Sequence, residues 1–247
     1  FRSETAAIEL TCLLREEKSV AISAIEYFDP GALNLLRKRR ETMKAASMVP
    51  PGMPENPGTA GIYIDIDCTN ANVKEAAEKI LEAGKKLKSG KVLQTWAAFD
   101  RDERERLRKF RHALPETVNS IIGERKKKHP QITKLGTDMA VPDQYLADIM
   151  KIYRETLESN SLEFVIFGHI GNNHVHVNIL PSNPDEYLTG KKLYGSFAAQ
   201  VLSMKGSVSA EHGIGRLKKN FLEMMLGSKG IEEMKALKKI FDPDNLL

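Results

Sequence analysis

From His174 to Ile179 polar and apolar residues alternate strictly, and a second strand-like run, Glu163–Gly168, ends only a few residues earlier. Alternation with a period of two sends His174, His176 and Asn178 to one face and Val175, Val177 and Ile179 to the other. Two such runs so close together form a hairpin, and a hairpin is antiparallel. With 170–173 as the turn, His169 stands opposite His174 and diagonal to His176, on the same face. Diagonal Cβ separations of about 7 to 8 Å or slightly less allow two imidazoles to share one metal ion. Three of the six histidines fall within these eight residues. The plainer alternative is a solvated hairpin face. No other stretch limits the fold as much, because it needs a sheet with one buried face.

The rest of the chain mixes strands and helices in no repeating order. Ser3 caps a helix with Ala7, Leu10, Leu13 and Leu14 at helical spacing. Val20–Ile25 reads as a strand. Asp29 and Pro30 then start a second helix through about Lys44. Val49–Gly58, with four prolines and two glycines, has to be an irregular loop. Gly61–Asp67 alternates like a half-buried strand, and Asn70 can cap the helix after it. Val92–Trp96 reads as a short strand and Arg101–Ile122 as a long helix. Ile132–Val141 is extended, and Pro142 opens a helix to about Leu157. Helices over Asp185–Met204 and from about Ile231 complete an α+β pattern.

Composition excludes several classes. A chain of 247 residues, 41% hydrophobic and 28% charged, can bury a sizeable core. No apolar run approaches the roughly 18 to 20 residues of a membrane span. The net charge is +4, and the basic residues are dispersed among acidic neighbours. The short clusters Arg37–Arg40 and Arg125–Lys128 lack interleaved aromatics and read as helix faces or ends, so no nucleic-acid partner is expected. Cys12 and Cys68 form no metal or redox motif and are expected as reduced, largely buried thiols of a cytoplasmic protein. Phe1 does not read as a natural start and no signal peptide follows it, so the chain is expected to open inside a larger protein or after processing.

Two further pieces carry chemistry. Ser207–Arg216 sets a Glu211-His212 pair between small residues and two glycines, as suits a tight site where backbone approaches a ligand. Glu211 could join two imidazoles as a carboxylate ligand of Zn, Mn or Fe, with His212 as a base; a structural turn is the alternative. Arg111 lies within about 40° of Leu107 on its helix, inside the Leu107/Phe110/Leu114 stripe. An inward arginine needs an anionic partner, either a substrate carboxylate or a carboxylate of the protein.

Taken together, these pieces resemble the C-terminal domain family of FAD-linked oxidases, of the glycolate oxidase/D-lactate dehydrogenase type. The family's motifs run close to His-x-Gly-Asp-Gly-Asn-x-His-x-Asn and Ser-x-Glu-His-Gly-x-Gly. Here they read His169-Ile-Gly171-Asn172-Asn173-His174-Val-His176-Val-Asn178 and Ser209-Ala-Glu211-His212-Gly213-Ile-Gly215. Ala24-Ile-Glu26-Tyr-Phe-Asp29, Arg111 with Leu114-Pro115-Glu116, Lys134 with Thr137-Asp138, and Phe241-Asp-Pro-Asp-Asn245 resemble further blocks. Asn172-Asn173-His174 departs from the usual Asp-Gly-Asn.

The resemblance implies an antiparallel sheet with helices largely on one face, a ferredoxin-like cap over 1–205, and a C-terminal helical segment, 206–247, that returns to a flavin domain. It implies a divalent metal on His169, His176 and Glu211, and a substrate held by Arg111, Lys134 and Asn178. His212 would take the hydroxyl proton of a small 2-hydroxy acid as hydride passes to FAD. FAD itself would be bound mainly by an N-terminal domain of the same protein. The electron acceptor would be an iron-sulfur subunit, an electron-transfer flavoprotein or a quinone. The protein would be cytoplasmic, or peripheral to the membrane through that redox partner. A fragment without its flavin domain is expected to turn nothing over alone. A self-contained metal-dependent hydrolase or lyase using the same His/His/Glu set is the competing class.

Overall fold

Residues 1–43, 58–69, 72–216 and 218–246 are described in a computed structural model. The chain runs α1 (Glu4–Glu16), β1 (Ile22–Phe28), α2 (Pro30–Met43), β2 (Gly61–Ile66), α3 (Val73–Lys85), α4 (Arg101–Lys128), β3 (Leu135–Gly136), β4 (Met139–Ala140), α5 (Leu146–Ser159), β5 (Phe164–Gly168), β6 (His174–Ile179), α6 (Pro184–Ser203) and α7 (Lys219–Phe241). All described strand pairs are antiparallel, in the order β2-β1-β5-β6-β3, with β4 also pairing β6. The β5–β6 hairpin is therefore central.

Caps follow the residue chemistry. The Ser3 hydroxyl accepts from the Ala6 amide at 3.2 Å, Asp100 from Glu103 at 2.8 Å, and Asn183 from Glu186 at 2.9 Å. Asp29 Oδ1 accepts from Ala32 at 2.6 Å just before Pro30 opens α2.

The hairpin register pairs Phe167 with His176 and Val165 with Asn178. The turn is a short 3-10 segment, Ile170–Asn172, closed by Asn173 in the left-handed region at φ 54°. Asparagine tolerates that conformation where most side chains do not. The Asn173 side chain accepts from Arg15 and donates to Asp143 at 2.5 Å. The departure of Asn172-Asn173 from the usual turn is thus absorbed, with α1 pinning the turn from behind.

Strand alternation splits the core in two. Ile25 and Tyr27 of β1, Ile166 of β5, and Val175, Val177 and Ile179 of β6 pack against α1, α5 and α6, with Ala83 of α3. Phe28, Val165 and Phe167 point the other way, onto α2 and α4. Four helices thus meet the expectation of a largely one-sided layer, while α2 and α4 cover part of the second face. The part left uncovered carries the polar side of β6.

Some expected elements differ. Val92–Trp96 forms no strand; it runs irregularly to Phe99 past the edge strand β2, with Trp96 and Phe99 exposed. A β-prone run becomes a strand only where a neighbouring edge completes its hydrogen bonds. The last helix starts well before Ile231 but breaks at Gly227, where φ is 67°. Cys12 is exposed, because it falls on the outer side of α1. Asn70 and most of the Val49–Gly58 loop lie outside the described residues.

Candidate metal centre and substrate site

The register brings Glu26 of β1 opposite His169, one step beyond the Tyr27–Gly168 pair. Its side chain is 5% exposed, and its Oε1 lies 2.8 Å from His169 Nδ1. A carboxylate accepts, so Nδ1 carries the proton and Nε2 presents a lone pair. His176 is held in the same way: its Nδ1 donates to the Thr137 carbonyl at 2.9 Å. Gly168, with φ 126°, makes room for that ring, since a Cβ there would stand 2.8 Å from His176 Cδ2.

Both Nε2 atoms face Glu211. Its Oε1 lies 3.3 Å from His169 Nε2, 3.1 Å from His176 Nε2 and 3.3 Å from His212 Nε2. Two lone pairs and a carboxylate oxygen this close repel unless a proton or cation lies among them. Ligands at about 2.0–2.1 Å from a tetrahedral ion sit about 3.3 Å apart. The donor set and its spacing therefore fit a divalent metal, and His169, His176 and Glu211 are the residues that could hold it. Glu26 and Thr137 behind the rings supply the outer partners such sites need.

The environment acts on the two rings in opposite directions. The Glu26 bond raises the His169 pKa, while burial lowers that of His176. Burial alone would raise Glu211, but the surrounding histidines pull it below the ordinary range. His174 is pushed down to about 4 by burial and by His176.

Glu211 is carried there by a clamp. Asp138, 2% exposed, accepts from the amides of Glu211 and His212 at 3.1 Å each, from Ser209 Oγ at 2.9 Å and from Lys218 Nζ at 2.5 Å. Burial alone would raise its pKa, but these donors hold it well below the carboxylate range. The Ala140–Ser207 bridge anchors the same segment to β4.

The three residues expected around a substrate are placed unevenly. Arg111 points inward as its stripe predicts, and its Nη2 is 2.5 Å from Glu26 Oε1. It is thus joined through Glu26 to His169. Asn178 is buried, and its Oδ1 has no hydrogen-bond partner. Lys134 is exposed as a residue, yet partial desolvation of its ammonium lowers its pKa. Both lean over Gly136: Asn178 Oδ1 and Lys134 Cε lie 3.0 and 3.2 Å from where a Cβ would stand. His212 is the most open of the group, with 64% of its side chain exposed.

Sequence reading missed Glu26, Thr137 and Asp138 as parts of this site. Glu26 breaks the apolar run of its strand (Ala24-Ile-Glu-Tyr-Phe), which is a usable signal. Thr137-Asp138 stands in one of the family-like blocks, but nothing local in it indicates a role.

An antiparallel sheet with a core cluster on each face leaves part of one face open, and there it carries a His/His/Glu cluster that could hold a metal ion. The chain belongs to the family of FAD linked oxidases, C-terminal domain, which it matches over residues 1–247. It is 30% identical over 137 residues to glycolate oxidase subunit GlcD of Bacillus subtilis, covering 55% of this chain and 29% of that protein. It is 26% identical over 249 residues to the probable mitochondrial D-lactate dehydrogenase of Danio rerio, covering 100% and 46%. The chain thus spans less than half the length of these relatives. Its fold is similar to that of 4-ethylphenol oxidase from Gulosibacter chungangensis in complex with isoeugenol, with a TM-score of 0.59 and 14% identity over the whole chain and 51% of that structure. Among the described residues no helix is long and apolar enough to cross a membrane.

Proposed function

We propose that this chain is the substrate- and metal-binding part of a flavin-dependent dehydrogenase that oxidises a small 2-hydroxy acid, of the glycolate or D-lactate class, to the 2-oxo acid. The observation that carries this reading is the approach of two tied-back imidazoles to Glu211, with His212 beside them. The names of its relatives, a glycolate oxidase subunit and a probable D-lactate dehydrogenase, support that substrate class.

His169, His176 and Glu211 would hold Zn, Mn or Fe, and such an ion would supply Lewis acidity to a substrate hydroxyl and ease loss of its proton. Lys134 would face the substrate carboxylate, and Asn178 Oδ1, which has no other partner, would accept from the substrate. Arg111 would meet it with the guanidinium nitrogens not engaged by Glu26. His212 would take the hydroxyl proton, and FAD, when bound, would supply the acceptor for the Cα hydride, so that two electrons and one proton would go to the flavin and one proton to the imidazole.

FAD would be held mainly by another domain of the intact protein. Residues 206–247 would lie against that domain, as the exposed Leu237, Ile240 and Phe241 of α7 favour. An iron-sulfur subunit, an electron-transfer flavoprotein or a quinone would take the electrons onward.

The test is a screen of 2-hydroxy acids on the intact gene product, with an artificial electron acceptor. A flavin visible band, acceptor-dependent turnover, and its loss on chelation with recovery on adding Zn or Mn are expected. A protein without a flavin band that cleaves substrates with no acceptor would overturn the reading in favour of a hydrolase or lyase.

A further inference from the structure

His174 is one of the three residues by which this chain departs from its family's motif, and it lies inside the cluster. Its ring centroid is 4.6 Å from that of His176 and 5.3 Å from that of His169. The residue is 4% exposed. Its Nε2 is fully buried without a hydrogen bond, although Asp138 Oδ1 lies 3.0 Å away, off the line a hydrogen bond needs. A buried polar atom left unpaired loses its hydration without replacement. By contrast, His169 and His176 each have one nitrogen on a fixed acceptor and the other on Glu211.

One ring nitrogen from each of His169, His174 and His176 and one oxygen of Glu211 all lie within 4.8 Å of one another. Ligands of one ion with bonds of about 2.0–2.2 Å are at most about 4.4 Å apart, when they sit opposite each other. The widest pair therefore has to close by only a few tenths of an ångström, within the reach of a small side-chain rotation.

We propose that His174 is a third imidazole ligand, so that this chain carries a three-histidine, one-carboxylate centre. The inference rests on the metal reading above and extends it. Three imidazoles favour a first-row transition cation such as zinc, cobalt or iron over magnesium or calcium, which seek oxygen. With its widest pair on opposite sides of the ion, this set belongs to a five- or six-coordinate shell, in which a hydroxy acid can take the remaining positions. Such a centre holds its ion more tightly than a two-histidine site and selects ions that accept the larger number.

The probe is cobalt(II) alone, titrated into the metal-stripped intact protein. One equivalent per chain is expected to bind, with visible d–d bands. A lost ligand should cost at least as much as a lost outer partner, so His174→Asn is expected to weaken binding by roughly 10–100-fold or more and to shift the bands. Proton NMR of the cobalt-loaded parent needs no variant: three exchangeable, strongly shifted imidazole N–H signals are expected, against two if His174 stays off the metal.

Parent-like affinity and spectrum in His174→Asn, or only two shifted signals in the parent, overturn the proposal and leave the two-histidine metal site standing. A parent that binds no cobalt overturns the metal reading itself. If His174→Asn fails to fold, the signal count alone decides.

Discussion

The two sides of strand β6 are built from alternate residues of one segment, and they obey different rules. Val175, Val177 and Ile179 are at most 1% exposed and pack among α1, α5 and α6. Full burial of such side chains is worth about 1.5–3 kcal/mol each, so this side holds the sheet together. His174, His176 and Asn178 are nearly as buried, but two of them have a polar atom without a hydrogen bond. That side gains little from burial and pays desolvation. The comparison teaches that stability and chemistry are divided by the pleat, with the core side supporting strain that the site side keeps.

The largest effect should come from the core side. Ile166→Ala, at a position 0% exposed on β5, is expected to cost about 2–5 kcal/mol in denaturant unfolding of the apoprotein. His176→Ala on the opposite side is expected to change unfolding by less than about 1 kcal/mol and to abolish cobalt binding. Equal stability losses at the two positions would break the comparison.

A smaller effect sharpens it. Glu26→Gln keeps an acceptor behind His169 but removes the charge shared with Arg111. Metal affinity should fall roughly 10–100-fold, as for other outer partners. Isothermal titration would show this, and an unchanged affinity would remove Glu26 from the site. Smallest of all, Ile240→Gln on the exposed side of α7, where the residue is 74% exposed, should shift the unfolding of this chain by no more than about 0.5 kcal/mol. A larger loss would mean that α7 belongs to the core of this chain.

Legibility in the sequence followed the range of the interactions. The β5–β6 hairpin, the caps at Ser3 and Asp29 and the inward aim of Arg111 depend on neighbours a few residues away, and they could be read. Val92–Trp96 could not, because β propensity does not say whether a run comes into hydrogen-bonding register with an edge, even one it passes. The stretch of α7 after Gly227 lies where a helix from about Ile231 was expected, while the stretch from Lys219 to Gly227 was not read.

The site divides along the same line. His169, His176, Glu211 and His212 were legible as residue types in a motif, and so was the shared face of the two hairpin histidines. What only the tertiary structure decided is how they are held. Glu26 reaches His169 across 143 positions of chain, Thr137 reaches His176 across 39, and Asp138 grips the amides of Glu211 and His212 across 73 and 74. The sequence by itself determined the alternation that separates a core side from a polar side, because side-chain direction along a strand is a local property. Which carboxylate stands behind which imidazole, and which nitrogen is left to bind, depends on strand register and on a loop folded back over the sheet, and neither is written in any short stretch of chain.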